Sequence, residues 1–364
     1  LDQMRPRFQR FQAMLSIALL IWLNLMNPAL ATEIVRQEPP FASHAQSIRS
    51  PYVPSLPATQ RWKLCIVFPH IKDAYWLAVN YGMVQEAQRL GVELRFLEAG
   101  GYPNLQTQRA QFTTCASDHQ TDALILGTVS FNGLSDLIVK AARRMPILAT
   151  VNDINNEGIS AKVGVSWYDM GRLTGEYLVA NLAPGGQRVA IAWFPGPRGA
   201  GWVPFVDRGF REAISGSPIV IAATRWGDTD KALQRNLVQD VLDEYPKVSY
   251  LLGNALMAEA AISVLRERKL QGKVQVISTY FTPAVYRGIS RGRILAAPTD
   301  SPVLQGRLSI AQAVDLLEGR EPARQLGPAV EVVDQENLPK IDLGDSLPPP
   351  TFSPQFRFLP IFTK

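Results

Sequence analysis

Four aromatic residues stand in or next to loops that follow predicted strands, where a ligand could be held. They are Trp76, Tyr102, Trp167 and Tyr280. The face of an aromatic ring attracts cations and accepts apolar groups, and a tyrosine hydroxyl also donates one hydrogen bond. Such residues suit binding rather than bond cleavage. The alternative for each ring is packing inside a core, as a tryptophan in the first turn of a helix often does.

Two acidic residues belong to the same group of candidates. Asp73 precedes the predicted helix that contains Trp76, where it either caps that helix or contacts a ligand. Asp300 lies in a turn-rich break further along the chain and is a second candidate contact. Four further tryptophans are interpreted as packing or surface residues: Trp62, Trp193, Trp202 and Trp226.

The sequence does not support a metal site, a catalytic site, a nucleotide-binding site or nucleic-acid binding. The histidines, His44, His70 and His119, are too scattered for a site, and the chain has neither a G-x-S-x-G motif nor paired carboxylates in one loop. The glycine-rich residues 100–101 and 195–201 lack the spacing of nucleotide-binding loops. A net charge of +5 without a run of Lys or Arg does not indicate nucleic acid. We therefore expect no metal, cofactor or nucleic-acid partner, and no enzyme.

The candidates must be positioned by the elements around them, and residues 62–102 show how. Residues 64–68 are a short apolar run typical of a buried strand. A helix with Gly91 at its expected C-cap follows, and then a second strand, residues 92–97. In a parallel α/β sheet, ligands bind beyond the carboxyl ends of the strands. The loops after both strands each carry one aromatic candidate.

The strand–helix alternation continues along the chain and restarts after residues 152–160, which show no apolar period. It predicts an α/β fold of two doubly wound parallel-sheet lobes joined by three crossings. The expected division is an extended N-terminal segment at 32–61, lobe one at 62–160 plus 281–300, lobe two at 161–280 plus 301–342, and a Pro-rich C-terminal tail at 343–364.

Residues 1–31 are typical of a secretory signal peptide. Three arginines precede an apolar run at residues 14–26, and an A-x-A cleavage site ends at Ala31. We expect an exported, soluble mature protein that does not insert into the membrane; an uncleaved anchor is the alternative. Export permits disulfides, so Cys65 and Cys115 are expected either to pair or to remain buried free thiols.

The leader, the alternation and a Thr-Pro turn at residues 282–283 resemble the type I periplasmic binding proteins, the sugar-receptor class, over residues 62–333. Short sequence words narrow this resemblance to the TorT family of periplasmic sensors. The matching words are WKLC at 62–65, KD-YWL at 72–77, NYGM at 80–83, LEAGGY at 97–102, VGV-W at 163–167, PGP at 195–197 and VYRG-RGR at 285–293.

The resemblance implies a non-enzymatic sensor in the periplasm. TorT-family proteins bind trimethylamine N-oxide and present it to the periplasmic sensor domain of a membrane hybrid histidine kinase that controls anaerobic respiration on this compound. Aromatic faces suit its methylated nitrogen, and a tyrosine or indole donor suits its oxygen. The four aromatic candidates are the expected box, closed by a hinge motion of the lobes. The alternative is a receptor that delivers a sugar or another methylated amine to an ABC importer.

Overall fold

The computed structural model describes residues 32–42, 44–182 and 187–361. The predicted signal peptide lies outside the described residues, as does the last part of the C-terminal tail. Within the described part of the chain, none of the helices combines the length and the apolar character that a bilayer crossing requires.

Strands and helices alternate along most of the chain, as predicted. The strands are β1 (Glu33–Glu38), β2 (Gln46–Pro51), β3 (Lys63–Phe68), β4 (Glu93–Glu98), β5 (Ala123–Leu126), β6 (Ile147–Thr150), β7 (Ala161–Val163), β8 (Val189–Gly196), β9 (Ile219–Trp226), β10 (Tyr250–Gly253), β11 (Gln275–Ser278), β12 (Ala296–Thr299), β13 (Gln325–Pro328), β14 (Glu331–Asp334) and β15 (Arg357–Phe358). The helices are α1 (Ala74–Leu90), α2 (Leu105–Ser117), α3 (Ser135–Ala141), α4 (Trp167–Ala180), α5 (Val203–Ala213), α6 (Lys231–Glu244), α7 (Ala255–Glu267), α8 (Pro283–Ser290) and α9 (Pro302–Leu317).

Two sheets form the two lobes. In the described residues, the sheet of lobe one has nine strands in the order β15-β4-β3-β5-β6-β7-β13-β1-β2. Its strands from β4 to β13 are parallel, whereas β15, β1 and β2 add antiparallel edges. The described sheet of lobe two is parallel with the order β11-β10-β8-β9, and the antiparallel pair β12-β14 lies beside β11. The predicted fold class is confirmed.

The described chain passes between the lobes at 164–166, 300–301 and 329–330, and a fourth time between β14 and β15, where the C-terminal tail returns from lobe two to lobe one. The three predicted crossings are present, and the returning tail adds a fourth passage, but the predicted division of the chain is wrong. Strand β7 pairs with β6, so lobe one continues past residue 160. Helix α8 packs on α7 and β12 lies beside β11, which places residues 281–300 in lobe two. Helix α9 packs on α1, and β13 pairs with β7. These contacts place residues 302–328 in lobe one instead of the predicted lobe two.

Local sequence signals determine where helix α1 begins and where it ends. Asp73 accepts a hydrogen bond from the backbone N–H of Trp76 at 3.0 Å, as an N-cap does. The helix ends at Gly91, whose φ of 81° places it in the left-handed region that favours glycine. The strand before this helix is almost wholly buried, because both faces of a parallel sheet are covered by helices.

The N-terminal segment is better ordered than the sequence predicts. Strands β1 and β2 form an antiparallel hairpin, and β1 pairs with β13 at one edge of lobe one. At the other edge, β15 in the C-terminal tail pairs with β4. The predicted extended segment is therefore part of the sheet. Its Pro- and Ser-rich composition gives no local signal for these strands, because strand β1 is stabilised by pairing with β13, which is distant in the sequence.

A disulfide joins the sheet of lobe one to a helix. Cys65 on β3 and Cys115 on α2 are bonded, with their Cα atoms 5.9 Å apart. Both side chains are buried, and α2 packs over β3. Of the two alternatives left open by the sequence, pairing is the one observed.

Removing this bond should destabilise lobe one. The bond closes a loop of 50 residues, and opening a loop of that size restores chain entropy to the unfolded state equivalent to about 4 kcal/mol. Replacing Cys65 and Cys115 together by Ala should lower the free energy of unfolding by roughly that amount, as measured by denaturant titration. The parent protein in a thiol reductant is the matched control and should behave like the variant. Equal stability of the parent with and without reductant would contradict a structural disulfide.

Candidate ligand-binding site

A small cavity lies between the two lobes, and most of the described residues that line it are aromatic. They are Asp73, Tyr75, Trp76, Tyr102, Asn152, Trp167, Trp202, Thr229 and Tyr280. All the candidates chosen from the sequence except Asp300 are in this set. About 20 Å³ is open to the centre of a water-sized sphere, and a single water needs about 10–15 Å³ by this measure. The cavity therefore matches a ligand of few atoms.

The lining residues come from the carboxyl ends of the strands, as the general rule for parallel α/β sheets requires. Lobe one contributes Asp73, Tyr75 and Trp76 after β3, Tyr102 after β4 and Asn152 after β6; lobe two contributes Trp202 after β8, Thr229 after β9 and Tyr280 after β11. Trp167 begins helix α4 directly after the first crossing. The site thus needs both lobes and one crossing segment.

Trp202 is at the centre of the aromatic lining. Its ring centroid lies 5.0 Å from that of Trp167, 6.3 Å from that of Tyr280 and 6.4 Å from that of Tyr102. These distances are typical of tilted and edge-to-face aromatic pairs. None of the four side chains is more than 9% exposed. The rings therefore form a continuous, buried aromatic wall.

The hydroxyl of Tyr102, which lines this cavity, has a proton available for a ligand. Its oxygen accepts a hydrogen bond from Nδ2 of Asn152 at 3.1 Å, and the described residues supply no acceptor for its own proton. Burial raises the pKa of Tyr102, although hydrogen bonds from Asn152, Trp76 and Trp202 act in the opposite direction. The hydroxyl is therefore protonated at neutral pH and free to donate to a ligand oxygen.

An unusual backbone conformation at Val151 helps to position two lining residues, Trp167 and Asn152. Its φ of 66° is in the left-handed region, which for a β-branched residue costs roughly 1–3 kcal/mol. Its carbonyl accepts a hydrogen bond from Nε1 of Trp167 at 2.9 Å, and the next residue, Asn152, bonds Tyr102. The indole N–H of Trp167 therefore joins the lobes, and its ring face remains for a ligand.

Asp73 both caps helix α1 and lines the cavity, so the two roles considered for it coexist. One carboxylate oxygen accepts from the N–H of Trp76, and the residue is largely buried. Burial first, and then the charge of Asp73, raise the pKa of Tyr280 well above its usual value. Asp73 thus supplies negative charge to a cavity with otherwise neutral walls.

Direct contacts hold the lobes together around the cavity. Lys72 in lobe one forms an ion pair with Asp228 in lobe two at 2.9 Å, and beside it His70 is hydrogen-bonded to Thr229 at 3.1 Å. Gly201 lies so close to lobe one that an added Cβ would be 1.9 Å from the carbonyl oxygen of Asp153. The structure is therefore that of a closed cleft.

Asp300 lies behind the cavity wall. Its carboxylate accepts hydrogen bonds from the hydroxyl of Tyr75 and from Nε2 of Gln305, the latter at 2.7 Å. Burial raises the pKa of Asp300 to about 6, against these hydrogen bonds, which lower it. The ring of Tyr75 in turn packs edge-on against Tyr280, with centroids 5.4 Å apart. Asp300 therefore acts on the cavity indirectly, by holding Tyr75.

Trp202, interpreted from the sequence as a packing or surface residue, is buried and also lines the cavity. Trp202 follows the end of β8 just as Tyr102 follows β4, so the rule that selected Tyr102 also applied to it. Tyr75, Asn152 and Thr229 also follow strand ends and were missed. The other three tryptophans of the described residues lie away from the cavity: Trp62 donates to Glu318, Trp193 stacks on Phe210, and Trp226 lies beneath Arg198.

Comparison with known proteins agrees with this architecture. Residues 64–321 match the family described as a periplasmic binding protein domain. The periplasmic protein TorT of Escherichia coli (strain K12) is 38% identical over 305 residues, which are 83% of this chain and 86% of TorT. The resemblance indicated by the short sequence words is confirmed.

Two solved structures are similar over most of the chain. A complex of TorT with the TorS sensor domain in the presence of trimethylamine N-oxide has 39% identity and a TM-score of 0.74, covering 81% of this chain and 99% of that chain. An ABC transporter solute-binding protein from Bradyrhizobium sp. BTAi1 with bound bis-tris has 44% identity and a TM-score of 0.78, covering 91% and 99%. The chain therefore belongs to the periplasmic binding protein family and, within it, to the family of the periplasmic protein TorT.

Proposed function

We propose that this protein binds trimethylamine N-oxide in the cavity between its lobes and signals its presence to a membrane histidine kinase. The observation that carries the proposal is the lining of the cavity: buried aromatic rings, the Tyr102 hydroxyl as a donor, and one carboxylate. A TorT complex with the TorS sensor domain has been solved in the presence of this compound, which supports both the ligand and the partner.

The chemistry of the ligand corresponds to the chemistry of the walls. Trimethylamine N-oxide has a cationic nitrogen covered by methyl groups, and the faces of Trp76, Trp167 and Trp202 would desolvate the methyl groups while attracting the charge. Asp73 would add a second, carboxylate attraction for the same nitrogen. The anionic oxygen would accept the proton of the Tyr102 hydroxyl. Every charged part of the ligand thus has a partner.

The small cavity volume favours this ligand over a sugar. About 20 Å³ of water-accessible space holds a small tetrahedral group but not a pyranose ring. Sugar sites also need several polar side chains to pair the hydroxyl groups, whereas the lining here offers mainly aromatic rings. This contrast argues against the sugar-receptor alternative for this chain.

Delivery of a methylated amine to an ABC importer is the second candidate function. The observation in its favour is the 44% identity to an ABC transporter solute-binding protein, which exceeds the 39% identity to TorT in its complex. Both candidates predict the same cavity and differ in the partner. Neighbouring genes discriminate between them: a hybrid histidine kinase gene supports sensing, and permease and ATPase genes support import.

Location and the absence of catalysis follow from the same proposal. Both the matched family and TorT are described as periplasmic, which agrees with the predicted export signal. A protein of this binding class works by closing around its ligand and exposing the closed form to a partner. We therefore assign no catalytic role to any residue of the cavity.

For Asp300 we infer a positioning role. Its carboxylate fixes the hydroxyl of Tyr75, and Tyr75 supports the ring of Tyr280 from behind. Asp300 also occupies the second crossing, between β12 and α9. It would therefore hold the cavity wall in a fixed position relative to the second crossing, without contacting the ligand.

Loss of an aromatic face should weaken binding strongly. Trp76→Ala or Trp202→Ala removes a desolvated cation–π contact worth roughly 2 kcal/mol, which corresponds to about a thirtyfold higher Kd for trimethylamine N-oxide by calorimetry. Tyr102→Phe removes the donor to the oxide and should cost about 1–3 kcal/mol. Tyr280→Phe keeps its ring and should bind nearly as the parent does.

Trp226→Ala is the matched control for these variants. Trp226 also stands at a strand end of lobe two, but it lies outside the cavity beneath Arg198. Its loss should leave the Kd unchanged. Parent-like binding by folded Trp76→Ala and Trp202→Ala variants would show that the ligand binds elsewhere.

The raised pKa of Asp300 should make stability depend on pH. Because the folded pKa is about 6 and the unfolded value about 3.9, the folded state retains a proton that the unfolded state loses. The stability gained from that proton is complete below the unfolded pKa and is lost as the pH rises through the folded pKa. Relative to Asp300→Asn, the parent should lose about 2 kcal/mol between pH 4 and pH 7, measured by denaturant unfolding. Parallel curves for the two proteins would contradict the assignment.

A further inference from the structure

We infer that Gly127 sets the size of ligand that the cavity accepts, because it leaves the space in which the ring of Trp76 is seated. This inference rests on the proposed function, since it concerns the same cavity. Gly127 directly follows β5 and is not one of the lining residues. Its effect is transmitted through Trp76, so it is a positioning residue.

The contact between the two residues leaves no room for a side chain. A Cβ built on Gly127 would be 2.5 Å from Cη2 and 2.8 Å from Cζ3 of the Trp76 ring, and 3.4 Å from Cδ of Pro69. Carbon atoms that are not bonded approach to about 3.5–4.0 Å. Any residue other than glycine would therefore displace the indole ring by roughly 1 Å.

The backbone at this position is fixed, so the ring must give way. The N–H of Gly127 donates to the carbonyl of Val67 at 2.9 Å, which continues the sheet pairing of β3 and β5. Its carbonyl accepts from Nε2 of Gln108 at 2.9 Å, and that side chain is fully buried. The φ of Gly127 is outside the left-handed region. Space for the ring, rather than backbone conformation, is therefore the reason for glycine here.

The cavity is the direction in which the ring can move. Trp76 packs against Phe68 with centroids 4.7 Å apart and against Tyr75 at 6.0 Å, and it is only 2% exposed. The remaining free volume beside it is the cavity, with about 20 Å³ for a water centre. A group the size of a water molecule needs about 10–15 Å³ of that kind of space. One added methyl group is thus enough to remove most of the room.

A glycine also lies beneath a second ring that lines the cavity, that of Trp202. A Cβ at Gly196 would be 2.6 Å from Cη2 of Trp202. Gly196, however, has a φ of 127°, so a side chain there would strain the backbone as well. Gly127 is therefore the position at which the steric effect can be tested alone.

The test is a double-mutant cycle read by calorimetry with trimethylamine N-oxide. Gly127→Ala should weaken binding at least tenfold relative to the parent. In a Trp76→Phe background, whose smaller ring leaves space for the new methyl group, the same change should cost less than threefold. This rescue separates an effect on the ring from an effect on the backbone, and melting curves of all four proteins verify that each is folded.

Ligand size gives a second readout, which does not need the Gly127→Ala single variant to fold. N,N-Dimethylethylamine N-oxide is larger than trimethylamine N-oxide by one methylene, and the parent should bind it at least tenfold more weakly. Trp76→Phe should reduce that preference, and adding Gly127→Ala to Trp76→Phe should restore it.

Two outcomes would overturn the inference while leaving the proposed function intact. One is a Gly127→Ala variant that binds trimethylamine N-oxide as the parent does, and the other is an equal loss in both backgrounds. A parent protein that fails to bind trimethylamine N-oxide would instead refute the proposed function, and the inference would fall with it.

Discussion

The aromatic box depends on contact between the two lobes. Trp76 and Tyr102 belong to lobe one, whereas Trp202 and Tyr280 belong to lobe two, so their rings enclose one volume only when the lobes meet. Contact also excludes water, which raises a cation–π attraction from roughly 0.5–1 kcal/mol at an exposed site to about 2 kcal/mol. Closure and affinity are therefore two aspects of one equilibrium. A partner that recognises the relative position of the lobes would respond to the ligand without contacting it.

Glycines at points of close approach make this arrangement compact. In lobe one, helices α1 and α9 cross where a Cβ on Gly82 would lie 1.9 Å from the carbonyl oxygen of Val303. Between the lobes, Gly201 lies equally close to Asp153. At the box, Gly127 and Gly196 leave space for two indole rings. Each glycine removes a side chain where two parts of the molecule must touch, so the large aromatic residues fit within a small interface.

The sequence predicted the type of fold and much of the site, because both follow from local rules. Strand–helix alternation predicts doubly wound sheets, and the strand-end rule predicted that Trp76, Tyr102 and Trp167 face one cleft. Which lobe a segment joins could not be predicted from local patterns, since a helix–strand unit such as residues 281–300 has the same apolar faces in either sheet. Trp202 was missed because a buried tryptophan that packs and one that lines a cavity have the same local pattern.

A crystal structure of the protein with trimethylamine N-oxide is the most direct test of the central claim. The account predicts the methylated nitrogen within about 6 Å of the ring centroids of Trp76, Trp167 or Trp202. It also predicts the oxide oxygen within about 3 Å of the Tyr102 hydroxyl. Ligand density outside the cavity between the lobes, or an oxide oxygen directed away from Tyr102, would contradict it.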